Sequence, residues 1–155
     1  MTTDAKTDFW NRLSKTRTGM LAVGDRLVPM SPNADAETGT IWFITAKQTD
    51  MAQSAAGNPQ TRFTICDDGN GLYADITGTL SLSENREKLD EIWNMVADSW
   101  FEEGKQDPDL QLLAFRPQEA EIWLGSGALN FMFQIAKAQI TGDQPDMGDH
   151  TTLRF

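Results

Sequence analysis

The chain has 155 residues, the size of one domain and enough to bury a core. Its net charge of −10 leaves no basic stripe, which argues against binding to nucleic acid or to anionic membranes. The one cysteine, Cys66, excludes an intrachain disulfide and favours a reducing compartment. Because the N-terminal segment also lacks the apolar run of a signal peptide, we expect a cytoplasmic protein.

Short apolar segments separated by turns and helices run along the chain, and they predict its elements in order. The first half predicts a helix over Asp4–Thr16, strands over Gly19–Val23 and Arg26–Met30 joined by a Gly24-Asp25 turn, a polar loop over Ser31–Gly39, a strand over Thr40–Thr45 and a helix over Thr49–Ala56. The second half predicts strands over Thr61–Cys66 and Leu72–Ser81 around an Asp67–Gly71 turn, a helix over Glu84–Trp100 capped by Ser83, a loop over Phe101–Asp109, strands over Leu110–Phe115 and Ala120–Leu124 around Arg116-Pro117, a helix over Ala128–Ile140, a linker over Gly142–Asp149 and an edge strand over Thr151–Phe155.

About seven short strands interrupted by helices predict an antiparallel barrel with helices outside, formed by a single domain over residues 1–155. Gly78 in the middle of a strand predicts a bulge or a close approach by another backbone. Five Trp and eight Phe need burial in a core, an interface or a ligand site.

Residues for acid–base, nucleophilic or metal chemistry are sparse. His150 is the one histidine, and with no Ser or Cys nucleophile near it in sequence we expect an exposed histidine in the tail. Glu119 and Glu121 share a strand face without a visible partner, and no cluster typical of a metal site occurs. The sequence also lacks a Walker loop and a G-x-G-x-x-G motif. The catalytic residues stay unknown, and no metal is expected.

The segment from Phe43 to Pro59 has the form of a strand, a turn and a helix, which is a common phosphate site. Thr45 and Thr49 offer hydroxyl groups there. Taken alone, however, these residues favour an ordinary connection in which Thr49 is the N-cap of the helix.

The order of several motifs resembles the general stress protein 26 group of the pyridoxamine 5′-phosphate oxidase-like, FMN-binding split-barrel superfamily. The matching segments are RLVPM, IWFIT followed by GNP, ITGTLSL, EIWNMVADSWFEEGKQDPDLQLLAF and PQEAEIW. The resemblance implies a mainly β fold, a six-stranded antiparallel Greek-key split barrel with flanking helices. It also implies a homodimer with FMN between its subunits and an FMN-dependent oxidoreductase whose small-molecule substrate is unknown.

The resemblance also implies which residues lie at the cofactor. In the oxidases a motif F-Y-T-x-x-x-S-R-K binds the FMN phosphate. The corresponding residues here are Phe43, Ile44, Thr45, Thr49, Asp50 and Met51. The upstream motif R-P-M of the stress-protein group corresponds to Val28, Pro29 and Met30, so its arginine is missing, although Arg26 lies two residues earlier. Trp100 or Lys105 of the partner subunit would close the cleft.

Two positively charged residues of the phosphate motif are therefore replaced, by Asp50 and by Met51. A charge-assisted hydrogen bond contributes about 1.5–3 kcal/mol, so losing two weakens phosphate binding by roughly two to four powers of ten. Arg26 and Lys47 are the nearby cations that could compensate. Two alternatives follow: a non-enzymatic split-barrel protein that binds another flavin, haem or another ligand, or a stress-response interaction protein whose dimer surface is the functional part.

Overall fold

The chain folds around one antiparallel sheet whose strands curl into a half barrel. Our computed structural model describes residues 4–93, 101–125, 128–142 and 149–155. The strands are β1 (Gly19–Val23), β2 (Arg26–Met30), β3 (Asn33–Asp35), β4 (Thr40–Ala46), β5 (Gln60–Asp67), β6 (Leu72–Ser83), β7 (Leu110–Leu124) and β8 (Asp149–Arg154). The helices are α1 (Ala5–Leu13), α2 (Asp50–Ala55), α3 (Arg86–Ile92) and α4 (Ala128–Thr141), and a 3₁₀ turn covers Gly104–Gln106.

The strand order is β2-β1-β5-β6-β7-β4-β3, and β8 pairs with the end of β7. The predicted fold class, an antiparallel split barrel with flanking helices, is confirmed. The described part of the sheet has eight strands, two more than the six that the resemblance implies. The polar segment Ser31–Gly39 was predicted as a loop, but Asn33–Asp35 pairs with β4 because a neighbouring strand there satisfies its backbone groups.

The segments Leu110–Phe115 and Ala120–Leu124 form one continuous strand, so the prediction of two strands was wrong. The residues of this strand in the main core have odd numbers up to Phe115 and even numbers from Ala120 onward, because the register shifts by one residue opposite Thr77 and Gly78. The bulge tolerates Pro117, which has no N–H to donate.

Gly78 is the residue on β6 that faces this bulge. A Cβ atom at Gly78 would lie 2.3 Å from the carbonyl oxygen of Arg116, so no larger residue fits without a backbone shift. The close backbone approach predicted at this glycine is confirmed.

Local capping explains where the helices begin. Asp4 caps α1, and Thr49 caps α2 as predicted. Helix α3 is capped by Asn85, whose side chain accepts from the backbone N–H of Lys88 at 3.0 Å, and not by Ser83, which still belongs to β6. The described helix ends at Ile92, earlier than the predicted end at Trp100; residues 94–100 lie outside the described residues.

Two apolar clusters cover opposite faces of the sheet. The main core packs the concave face against α1 and α2, and it contains Phe43 and Phe63 in edge-to-face contact with ring centroids 5.1 Å apart. The second cluster lies on the other face, where Trp42, Leu110 and Leu112 pack against Leu89 of α3. Successive side chains of β4 therefore pack alternately into the two clusters, and this packing holds β4 in place where it leads into the candidate site.

Candidate functional site

The side chains of two threonines form hydrogen bonds within the turn between β4 and α2. The hydroxyl of Thr49 donates to the carbonyl oxygen of Ala46 at 2.7 Å and accepts from the backbone N–H of Ala52 at 3.2 Å. The hydroxyl oxygens of Thr45 and Thr49 lie 3.3 Å apart. A hydroxyl has one proton, so Thr49 has none left for Thr45, and Thr45 must donate this bond. Neither threonine keeps a proton for a further acceptor.

Asp50 lies in the position where the oxidase motif has arginine, and it forms an ion pair with Arg26. The distance from Arg26 Nη2 to Asp50 Oδ2 is 2.5 Å, and each side chain is about 60% exposed. This contact joins β2 to the first residue of α2, so the two predicted halves of the site meet. The cation expected to compensate for Asp50 is thus neutralised by Asp50 itself.

Several predicted site residues have side chains that pack in the core. Met51, at the lysine position of the motif, is 2% exposed, and Phe43 is fully buried. Val28 and Met30 are half-buried and pack against the same main core. Their side chains stabilise the barrel, and they do not project from the turn.

The remaining predicted residues lie around the turn or away from it. Lys47 and Pro29 are exposed, and the backbone N–H of Lys47 donates to the carbonyl oxygen of Asp109 at 2.7 Å. Ile44 faces the second cluster. Lys105 contacts α3 of its own chain, with its Nζ 3.3 Å from Asp90 Oδ1. Trp100 lies outside the described residues.

A buried ion pair fixes β3 against α3 beside the second cluster. Lys88 Nζ lies 2.8 Å from Asp35 Oδ2, and their side chains are only 16% and 11% exposed. Burial alone would raise the pKa of Asp35, but hydrogen bonds from Lys88, Thr38 and Trp42 outweigh it and lower this pKa to about 2. The hydrogen bond to Asp35, followed by the one to Glu91, raises the pKa of Lys88.

An open groove of about 420 Å³ borders Arg26 on the side of β5, and the sequence did not single it out. Arg62 lines this groove and forms an ion pair with Asp75 at 2.8 Å. The alternation of the β5 sequence could have indicated Arg62, because it places this residue on the face opposite Phe63.

His150 lies in strand β8, paired with Trp123 of β7. Its ring stacks on Trp123 with centroids 4.8 Å apart, and its Nε2 lies 3.0 Å from Glu121 Oε2. These are surface contacts between neighbouring strands. Within the described ranges no group of three or more His, Cys, Asp or Glu side chains could hold a metal ion, and no described helix is long and apolar enough to span a membrane.

The strand order and the flanking helices define a split-barrel protein. A family model described as pyridoxamine 5′-phosphate oxidase like matches residues 4–146. The chain therefore belongs to the pyridoxamine 5′-phosphate oxidase-like family. No curated protein matches the sequence.

Solved structures support this assignment. A candidate general stress protein 26 from Jannaschia sp. CCS1 is 48% identical, with a TM-score of 0.88, over 97% of this chain and 98% of that one. The general stress FMN/FAD binding protein of Xanthomonas citri is 29% identical, with a TM-score of 0.70, over 79% and 90% of the two chains. A heme binding protein from Mycobacterium smegmatis shares the fold, with a TM-score of 0.60 at 14% identity over 83% and 57% of the two chains.

The residues at the turn do not fit the phosphate of FMN. The hydroxyl protons of Thr45 and Thr49 are engaged within the turn, Arg26 is paired with Asp50, and Met51 is buried. A phosphate is an acceptor that requires donors and positive charge. The side chains of this turn therefore lack the free donors and the positive charge that a phosphate requires.

Proposed function

We propose that this chain is a flavin-binding protein of the general stress protein 26 type, with the flavin held between β2 and the turn that precedes α2. The observation that carries the proposal is the contact between Arg26 and Asp50, which brings these two segments together. The FMN/FAD binding protein of Xanthomonas citri, 29% identical, supports a flavin as the ligand.

A bound flavin would supply the redox chemistry of an oxidoreductase. The residues of this chain then bind and orient it. Thr45 and the backbone of the turn contact the ligand, and the buried Phe43 and Met51 hold the turn in place.

We further propose a homodimer in the cytoplasm. Strands β2 and β3 lie at the two ends of the main strand order in the described residues, and an exposed edge strand needs a cover to avoid uncontrolled pairing. Leu27 of β2 is 54% exposed, which fits a contact with a second copy. Light scattering during gel filtration should give about 35 kDa, twice the 17.3 kDa of one chain, and a monomeric mass would refute the dimer.

A second candidate is a non-enzymatic binding protein with the same fold. The pairing of Arg26 with Asp50 and the burial of Met51 favour it, because both leave the turn without a free positive charge that could bind the phosphate of a cofactor. Haem is one ligand that such a protein could hold.

An absorption spectrum separates the two candidates. The protein is purified without added cofactor, and its visible spectrum is recorded before and after incubation with FMN, riboflavin or haem and removal of free ligand. Retained flavin that a reductant bleaches and air restores supports the flavoprotein. Retention of haem alone supports the second candidate, and a colourless protein that retains none of the three refutes flavin binding.

A further inference from the structure

Resting on the flavin-binding function proposed above, we propose that this site selects an unphosphorylated flavin over FMN. Its ligand would be an isoalloxazine that carries an uncharged chain of hydroxyl groups, as riboflavin does. The two ligands differ only in the phosphate, so the preference depends on what the turn offers at that end.

The hydrogen-bonding capacity of the turn suits a hydroxyl better than a phosphate. Thr45 donates its proton to Thr49, and Thr49 donates its own to Ala46, so both protons are used. The oxygen of Thr45 still has lone pairs that can accept a hydrogen bond. A ligand hydroxyl can donate to that oxygen, whereas a phosphate dianion can only accept. A phosphate would have to break a hydrogen bond that the turn already makes.

The charges of the turn point the same way. Asp50 and Arg26 form an ion pair at 2.5 Å, so an anion that binds Arg26 has to compete with Asp50. A phosphate that displaced Asp50 from Arg26 would leave a carboxylate next to itself, and like charges at close range repel. The side chains at the other two positions of the motif cations, Val28 and Met51, carry no charge and pack in the core. An uncharged ligand meets none of these penalties.

A direct test compares riboflavin and FMN by quenching of flavin fluorescence at low ionic strength. The wild-type protein should bind riboflavin at least about ten times more tightly than FMN, because FMN has to desolvate its phosphate next to Asp50 without a free donor that compensates. Asp50→Asn removes the carboxylate and frees Arg26, so it should raise the affinity for FMN relative to that for riboflavin about tenfold or more. Asp50→Ser is a second variant with the same expected result.

Glu119→Gln is the matched control. Glu119 also forms an ion pair with an arginine, Arg154 at 3.6 Å, and its replacement changes the net charge by the same amount. It lies on β7 eight residues beyond Gln111, which pairs with Thr45, so it is far from the turn. This variant should leave both affinities nearly unchanged.

The outcomes separate the inference from the function on which it rests. If the wild-type protein binds FMN as tightly as riboflavin, the selectivity is overturned but flavin binding stands. If Asp50→Asn and Glu119→Gln tighten FMN binding equally, the overall charge sets the preference and the role of Asp50 is overturned. If neither flavin binds, both the inference and the proposed function are overturned.

Discussion

Replacing Asp35 by Asn should destabilise the protein by removing the buried charge that faces Lys88. The pKa of Asp35 falls from 3.8 to about 2 on folding, and each pKa unit corresponds to about 1.4 kcal/mol. The ionised carboxylate therefore contributes roughly 2 kcal/mol near neutral pH. Both side chains are at least 84% buried, so solvent screens this contribution little.

The sign of the pH dependence follows from the lowered pKa of Asp35. Its contribution is present above the unfolded value of 3.8 and disappears as the pH falls toward the folded value of about 2. Urea unfolding near pH 7 should show a loss of roughly 2 kcal/mol in Asp35→Asn, equivalent to about 4–8 °C in Tm. The difference from wild type should shrink steadily below pH 4.

Asp25→Asn is the matched control, because it makes the same chemical change at an exposed position of the β1–β2 turn. It should change the free energy of unfolding by less than about 0.5 kcal/mol. An Asp35→Asn variant as stable as Asp25→Asn at pH 7 would refute the reasoning. So would a loss that persists undiminished at pH 3, since it would then have another cause than the carboxylate charge.

Three further predictions concern local contacts. Gly78→Ala should lose about 1–3 kcal/mol in urea unfolding because its Cβ would meet a carbonyl oxygen at 2.3 Å, whereas Gly57→Ala, where the nearest atom is 3.6 Å away, should not. Thr49→Val should lower the free energy of unfolding by about 1 kcal/mol through loss of the α2 cap, whereas Thr49→Ser should retain the cap and the stability. Tyr73, the single tyrosine, should ionise at pH about 12 in ultraviolet titration, because its hydrogen bond to Asp68, and then its burial, raise its pKa. Asp68→Asn should return this pKa toward 10. The protonated Tyr73 stabilises the folded wild-type protein, and this contribution should disappear as the pH rises from 10 to 12. An unchanged Tyr73 titration in Asp68→Asn would contradict that prediction.

Local chemistry made much of the fold predictable. The alternation in β5 and β6, the turn at Gly24-Asp25 and the cap at Thr49 each depend on residues that are close in sequence. The close approach at Gly78 was also predictable, because a glycine inside a strand usually marks a place where a side chain does not fit. The family motifs indicated the split barrel and the cofactor turn.

Contacts between distant segments were not predictable from the same patterns. Two separate strands were predicted where β7 is continuous. The bulge that joins their two patterns of buried residues forms only through pairing with β6, which the sequence pattern does not show. The sequence identified Asp50 as a reversed charge and Arg26 as a compensating one, yet their 24-residue separation concealed that they bind each other. Nor did the motif show that Met51 faces the core. Strand periodicity and capping arise within a few residues, whereas ion pairing and burial depend on which segments the sheet brings together, and here those contacts decide the chemistry of the site.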